Sequence, residues 1–326
     1  MMTVPRRQFL HLTASLAAAS AVTRPARALD YPTRPVRIIE GFGGGGTPDL
    51  VSRLIGQWLA QRLHQPFVVE NRTGAGGNLA AEAVAQSAPD GYTLLTCVTA
   101  NAINATLYDK LDFDFLHDLT PVAGVIRLPM VVLVNSSSPE KTLGDFIAFA
   151  KANPGKVNFA SPGIGTPMHV AIELLRMEAG IDLVHVPYRG PAPAFTDLIA
   201  GRVDAFIITL SSALGFLKTG KLRALAVTSA ARSNVVPTVP SVSEVLPGFD
   251  ATAWDGWSVP AGTPAAIVDT LSSAIVAGFG DPQLKFPIKE LGGEIVPMEA
   301  AAFGKFVTAE TEKWNKVIKF AGLRPG

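Results

Sequence analysis

The sequence predicts an α/β protein made of parallel sheets with helices packed on both faces. Three observations carry that prediction. Short apolar runs alternate with stretches of helical periodicity, three helices open on the same Gly-Thr-Pro cassette, and two of those cassettes sit in glycine loops that follow strands. Strand and helix in regular alternation is the pattern of a doubly wound sheet. At 326 residues, 48% hydrophobic and 17% charged, the chain is long enough for two such domains.

The first 28 residues stand apart from the pattern. Arg6-Arg7, the apolar run Phe9 to Val22 and Ala26-Arg27-Ala28 read as the charged region, apolar region and cleavage site of an export signal. Arg6-Arg7-Gln8-Phe9-Leu10 resembles the twin-arginine signal, although Pro5 and His11 depart from its preferred neighbours, and Sec export stays open. Residues 1–28 are expected to be removed and the protein to reach the periplasm. Loss of Arg6, Arg7, Arg24 and Arg27 leaves 24 of the 28 basic residues against 27 acidic ones, a net charge of −3. That excludes a general electrostatic grip on nucleic acid. No later apolar run reaches the roughly 18 residues that span a bilayer, so no direct membrane insertion is expected. With Cys97 as its only cysteine, the chain has no internal disulfide. It is read as a monomer without a cofactor.

Strands are predicted at Val36 to Ile39, Phe67 to Val69, Tyr92 to Thr96, Val131 to Val134, Val157 to Ala160, Val184 to Val186, Val203 to Ile208 and Leu222 to Thr228. Helical stripes join Leu50, Leu54, Trp58 and Leu63, then Met168, Ala171, Ile172 and Leu175, then Ile267, Val268, Leu271, Ala274 and Ile275. His64-Gln65-Pro66 and Gly180 are helix stops. Chain breaks near Arg127-Leu128-Pro129 and Pro247-Gly248-Phe249 divide the protein into one domain of residues 29–126 plus 252–326 and a second of residues 127–251.

In Gly-Thr-Pro the threonine suits the N-cap and the proline the first helical turn. For Gly262-Thr263-Pro264 a well-made helix start is a sufficient reading. At the other two sites more is implied. Gly43, Gly44, Gly45 and Gly46 precede Thr47, and Ser161-Pro162-Gly163-Ile164-Gly165 precedes Thr166. Both are strand–loop–helix junctions at the carboxyl edge of a sheet, where open α/β sheets bind ligands. Bare backbone N–H groups, with a helix start behind them, make each junction a candidate anion cradle. Thr73 to Asn78 fits the same scheme, with Asn78 as N-cap of a helix Leu79 to Gln86. Asp49, in the first turn after Thr47, either turns away to cap the backbone or accepts a hydrogen bond from a ligand. The sequence leaves both open.

No catalytic constellation forms. Among His11, His64, His117, His169 and His185 there is no close metal-ligand spacing. Ser161 is followed by proline, unlike a nucleophile elbow. The string Gly215 to Lys221 is Walker-like, but Leu222 replaces the hydroxyl that would meet magnesium. The chain is read as no enzyme, with neither catalytic residues nor a metal site. His169, in the first turn behind a cradle, could reach a ligand or stand in solvent.

Several stretches together resemble the Bug-type periplasmic solute-binding receptors of tripartite tricarboxylate transporters: FGGGGTPDLVSR (42–53), VENRTGAGGNLAAEAVA (69–85), NFASPGIGTPMHVAIELL (158–175), VHVPYRGPAPAFTDLIAGRVD (184–204) and PAGTP (260–264). The resemblance runs from Tyr31 to Pro325. It implies a type II periplasmic-binding fold, two α/β domains closing on a ligand cleft. It also implies a small carboxylate as ligand and membrane transporter subunits as partners. A ligand-sensing partner of a membrane histidine kinase, or an exported enzyme acting on an acyl or phosphoryl group, stands as an alternative reading. The matching loops place Phe42 to Asp49 on one side of the ligand and Ser161 to Thr166 on the other, with help from Ala192 to Ala194. The chain departs from the family at Asn104-Ala105, where Asn-Pro is common, and at Ile208, where a polar residue is common. Thr209 is the residue that would replace that contact.

Overall fold

The computed structural model describes residues 30–325. The expected export signal lies outside them. The first sheet holds β1 (Val36–Glu40), β2 (Phe67–Asn71), β3 (Thr93–Val98), β4 (Leu119–Leu128), β10 (Ala253–Pro260) and β11 (Glu294–Glu299) in the order β11-β4-β10-β3-β1-β2. The second holds β5 (Met130–Asn135), β6 (Val157–Ser161), β7 (Leu183–Pro187), β8 (Ala205–Thr209) and β9 (Leu222–Val227) in the order β7-β6-β8-β5-β9.

The α-helices of the described residues are α1 (Thr47–Leu63), α2 (Asn78–Ala85), α3 (Thr99–Leu107), α4 (Leu143–Ala152), α5 (Pro167–Ala179), α6 (Pro191–Ile199), α7 (Leu210–Lys218), α8 (Ala265–Gly278), α9 (Pro282–Glu290) and α10 (Ala300–Ala321), with short 3₁₀ turns at Ala75–Gly77 and Val242–Glu244. The buried face of α1 lies one residue on from the predicted stripe: Val51, Ile55 and Leu59 are completely buried against β1 and β2, while Leu50 is exposed. Each such side chain contributes about 1.5–3 kcal/mol. His64 ends α1 at φ 57° and Gly180 ends α5 at φ 61°, both left-handed.

The expectation of parallel sheets holds only for β2-β1-β3 and β7-β6-β8. Strand β10 runs antiparallel to β3 and β4, β11 to β4, and β5 to β8 and β9. A helix between two strands returns the chain to the same edge and makes them parallel. Strands β5 and β10 are instead delivered by the chain crossing between the sheets. Thr228 ties the two crossings together. Its N–H donates to Met130 O at 2.9 Å, its hydroxyl to Ala251 O at 2.7 Å, and its carbonyl accepts from Ala251 N at 2.9 Å.

The capping expectations divide. Thr166 caps α5 by accepting from His169 N at 3.3 Å. Thr47 lies inside α1, after Gly46, and caps nothing. The Thr263 hydroxyl donates to Pro260 O at 2.7 Å, and α8 starts later, at Ala265. Asn78 opens α2 from within, and its Oδ1 accepts from Asn104 Nδ2 at 2.9 Å instead of capping.

Candidate functional site

A cavity of about 410 Å³ lies between the two sheets. The parallel strands β1, β3, β6 and β8 end around it, and α1, α3, α5 and α7 begin there. A threonine at each of these junctions is in the wall: Thr47, Thr99, Thr166 and Thr209. Four helix starts, each with about +0.5 of an elementary charge, therefore converge on one space. Among the described residues no Lys, Arg or His lines it. Most of the remaining wall is apolar, with Phe42, Val98, Leu107, Leu128, Ile164, Met168 and Trp254. Such a space suits an anion held by amides and hydroxyls, on a hydrocarbon body.

Of the residues expected at the site, Phe42, Thr47, Gly165, Thr166 and Thr209 are in the wall. Gly43, Gly44, Gly45 and Gly46 are exposed beside it. Only Gly45 among them has a left-handed φ, at 88°. Gly41 sits tighter, because a Cβ there would stand 2.9 Å from Gly77 Cα. Gly163, at φ 151°, is outside the wall but holds the loop, its carbonyl accepting from Thr166 Oγ1 at 2.8 Å.

Asp49, Ser161, His169 and Ala194 are buried behind the wall. Asp49 has turned away. It accepts from Arg53 through both oxygens, at 2.8 and 3.0 Å, from Gly45 N at 2.9 Å and from Asn71 Nδ2 at 2.9 Å. Arg53 above all holds its carboxyl down at about 2. His169 Nδ1 accepts from Gly165 N at 3.1 Å. Its ring stacks on His185 at 3.8 Å between centroids, and His185 Nε2 meets Ser161 Oγ at 2.6 Å. Burial, then His169, pushes His185 down to about 4. Ala194 packs in the second sheet's core against Phe206 and Leu198.

Sequence reasoning missed Thr99, Asn104, Tyr108, Trp254 and Asp255. Asn104 Nδ2 donates to Gly76 O at 2.8 Å, fixing the third glycine loop, whose Gly76 is in the wall. The signal for Thr99 was present: β3 ends there and a helix starts, as at Thr47 and Thr166, but without glycine. Asp255 lies on a strand that the sequence reading did not assign.

Residues 51–323 match the family described as the tripartite tricarboxylate transporter family receptor. The chain is 35% identical over 306 residues to the UPF0065 protein in the tcbD-tcbE intergenic region of Pseudomonas sp. (strain P51), covering 93% of this chain and 91% of that one. Among solved structures, R. palustris Rpa4515 with adipate is 34% identical, with a TM-score of 0.76, over 91% of this chain and 100% of the other. The periplasmic binding protein BugD is 30% identical, with a TM-score of 0.73 and the same coverage.

Proposed function

The chain belongs to the tripartite tricarboxylate transporter receptor family, and we propose that it captures a small organic acid in the periplasm and delivers it to a membrane transporter of that type. One observation carries the reading: four helix starts and their threonines converge on a cavity that, among the described residues, holds no cationic side chain. An anion there is held by oriented amides and hydroxyls alone. The relative solved with adipate supports a carboxylate as the anion. The likeness to a periplasmic protein supports the compartment, reached after removal of residues 1–28.

Residues 29–126 plus 252–326 form one lobe and residues 127–251 the other, hinged where Thr228 joins the crossings and closing on the ligand. No chemistry is assigned. The pair Ser161–His185 has the spacing of a nucleophile and base, but Ser161 is fully buried and outside the cavity wall.

A thermal-shift screen of mono-, di- and tricarboxylates tests the reading. An acid at about a hundred times its Kd stabilises the folded state by ~2.7 kcal/mol. Stabilisation by nucleotides or amines, with none by acids, would overturn the assignment.

A further inference from the structure

The wall contains one residue that a site for anions does not call for. Asp255, on β10, is 3% exposed, and its Oδ2 is buried with no hydrogen-bond partner. The strand register sets it opposite Val98, at the start of α3. Glu40, at the end of β1, has a buried and unpartnered Oε2, while its Oε1 accepts from Phe42 N at 3.0 Å. Two buried carboxyls thus lie in the first sheet on either side of β3, and the nearby cations among the described residues are paired elsewhere. Arg53 on α1 is held by Asp49, Arg127 on β4 by Asp250, and Lys313 on α10 by Glu310. Asp49 on α1 adds a further negative charge facing Glu40, Tyr108 shares the wall, and Cys97 on β3 is a buried thiol pushed up to about 12.

An ionised carboxylate in such a place is heavily disfavoured. Burial first, and then Glu40, push Asp255 up to about 8, and burial pushes Glu40 to about 7. A carboxyl that keeps its proton changes role, because it donates where a carboxylate only accepts. The helix starts around the cavity favour negative charge, but a bound carboxylate takes that field for itself and drives Asp255 further toward its neutral form.

We propose that Asp255 meets the ligand as a protonated carboxyl, donating a hydrogen bond to an oxygen of the bound acid, and so selects acids against amines. This rests on the cavity being a carboxylate site. With Leu107, Leu128, Met168 and Trp254 in the same wall, the acid it fits has a hydrocarbon body and an oxygen acceptor for Asp255. Above the titration point of Asp255 the donor becomes a second negative charge, and binding fails.

The test is calorimetry between about pH 6 and 9.5 on wild type, Asp255→Asn and Asp255→Leu, all checked for folding by thermal melts. The probe is whichever of adipate, malate, citrate and benzoate stabilises the wild type most at the acid end, with hexane-1,6-diamine as the cationic control. Wild-type affinity should fall about tenfold per pH unit above the titration point. Asp255→Asn keeps a donor that cannot ionise, so its affinity should stay within about threefold across the range, whereas Asp255→Leu should already lose about tenfold at the acid end. A flat wild-type profile, an Asn variant as weak as the Leu variant, or diamine binding that grows with pH overturns the role of Asp255. If no acid binds the folded protein anywhere, the carboxylate reading falls and this inference with it. Infrared spectroscopy gives a readout without ligand. A protonated-carboxyl band at neutral pH should diminish in Asp255→Asn and persist, in part, in Glu40→Gln. No change in Asp255→Asn also overturns the proposal.

Discussion

The two glycine cradles look alike in sequence and are fastened in opposite ways. The loop from Gly41 to Gly46 is held by charge: Asp49 binds Arg53, Asn71 and Gly45 N together. The loop from Ser161 to Gly165 is held by stacked rings: His169 accepts from Gly165 N, and His185 meets Ser161. In both, the polar residue that a sequence reader would hand to the ligand lies behind the cradle and orients its amides. A cradle built from main chain needs such a fastener, because a flexible glycine loop otherwise spends its binding energy on being ordered.

The largest expected effect comes from cutting each fastener. Asp49→Ala strips a buried anion from three donors, and hydrogen bonds to charged groups are worth about 1.5–3 kcal/mol each. Acid affinity should fall about a hundredfold. His169→Phe keeps the stack and removes the acceptor for Gly165 together with the 3.5 Å contact of Nε2 to Glu173, and the loss should be nearer tenfold. Asn in place of Asp49 should recover little, since the amide cannot accept from Arg53 through both oxygens without presenting its own donors. Calorimetry at neutral pH reads all three. Equal losses for Asp49→Ala and His169→Phe would show that the two fastenings do not differ as argued.

These residues also mark how far the sequence could be read. The glycine junctions, the strand rhythm and the two facing loops were legible, because local pattern determines them. The destination of Asp49 and His169 was not. Whether a first-turn side chain faces a ligand or folds back depends on Arg53, Asn71 and His185, and His185 reaches His169 from another strand. Strand β10 escaped because Trp254-Asp255-Gly256-Trp257 lacks any apolar alternation, being buried on both faces. Asn104 and Tyr108 escaped for a related reason. They reach the cavity because α3 begins at a strand end that no glycine marks.

A second, smaller contrast appears in pH dependence. In the first sheet Glu40 and Asp255 have folded values raised to about 7 and about 8. The folded state therefore binds more protons than the unfolded one, and stability drops as pH rises from the unfolded carboxyl range, near 4, through those values. In the second sheet His185 is depressed to about 4. Its contribution is complete above the unfolded histidine value, about 6.5, and is lost as pH falls toward 4. Thermal melts without ligand should show an alkaline limb that Glu40→Gln and Asp255→Asn flatten, each raising Tm at pH 8 relative to wild type by several degrees. His185→Gln should soften the acid limb between pH 6.5 and about 4 and leave the alkaline one alone. If a substitution in one sheet reshapes the other's limb, the two fastenings titrate as one unit.

The smallest effects belong to the cassette threonines, and there the contrast becomes a three-way separation. Thr166 caps α5 and also stands in the cavity wall. Thr166→Ala should therefore lose about 1 kcal/mol of stability and weaken acid binding as well. Thr47 stands in the wall without capping α1, so Thr47→Ala should weaken binding and leave the melt nearly unmoved. Thr263 neither caps nor lines the cavity, and its hydroxyl serves only Pro260. Thr263→Ala should take roughly 1 kcal/mol from stability and nothing from affinity. Three copies of one cassette would then give three different combinations of melt and titration, which follows only if position relative to the cavity, and not the cassette itself, assigns the role. A Thr263→Ala protein with weakened acid binding would break that separation, since its hydroxyl bonds Pro260 and Thr263 lies outside the cavity wall.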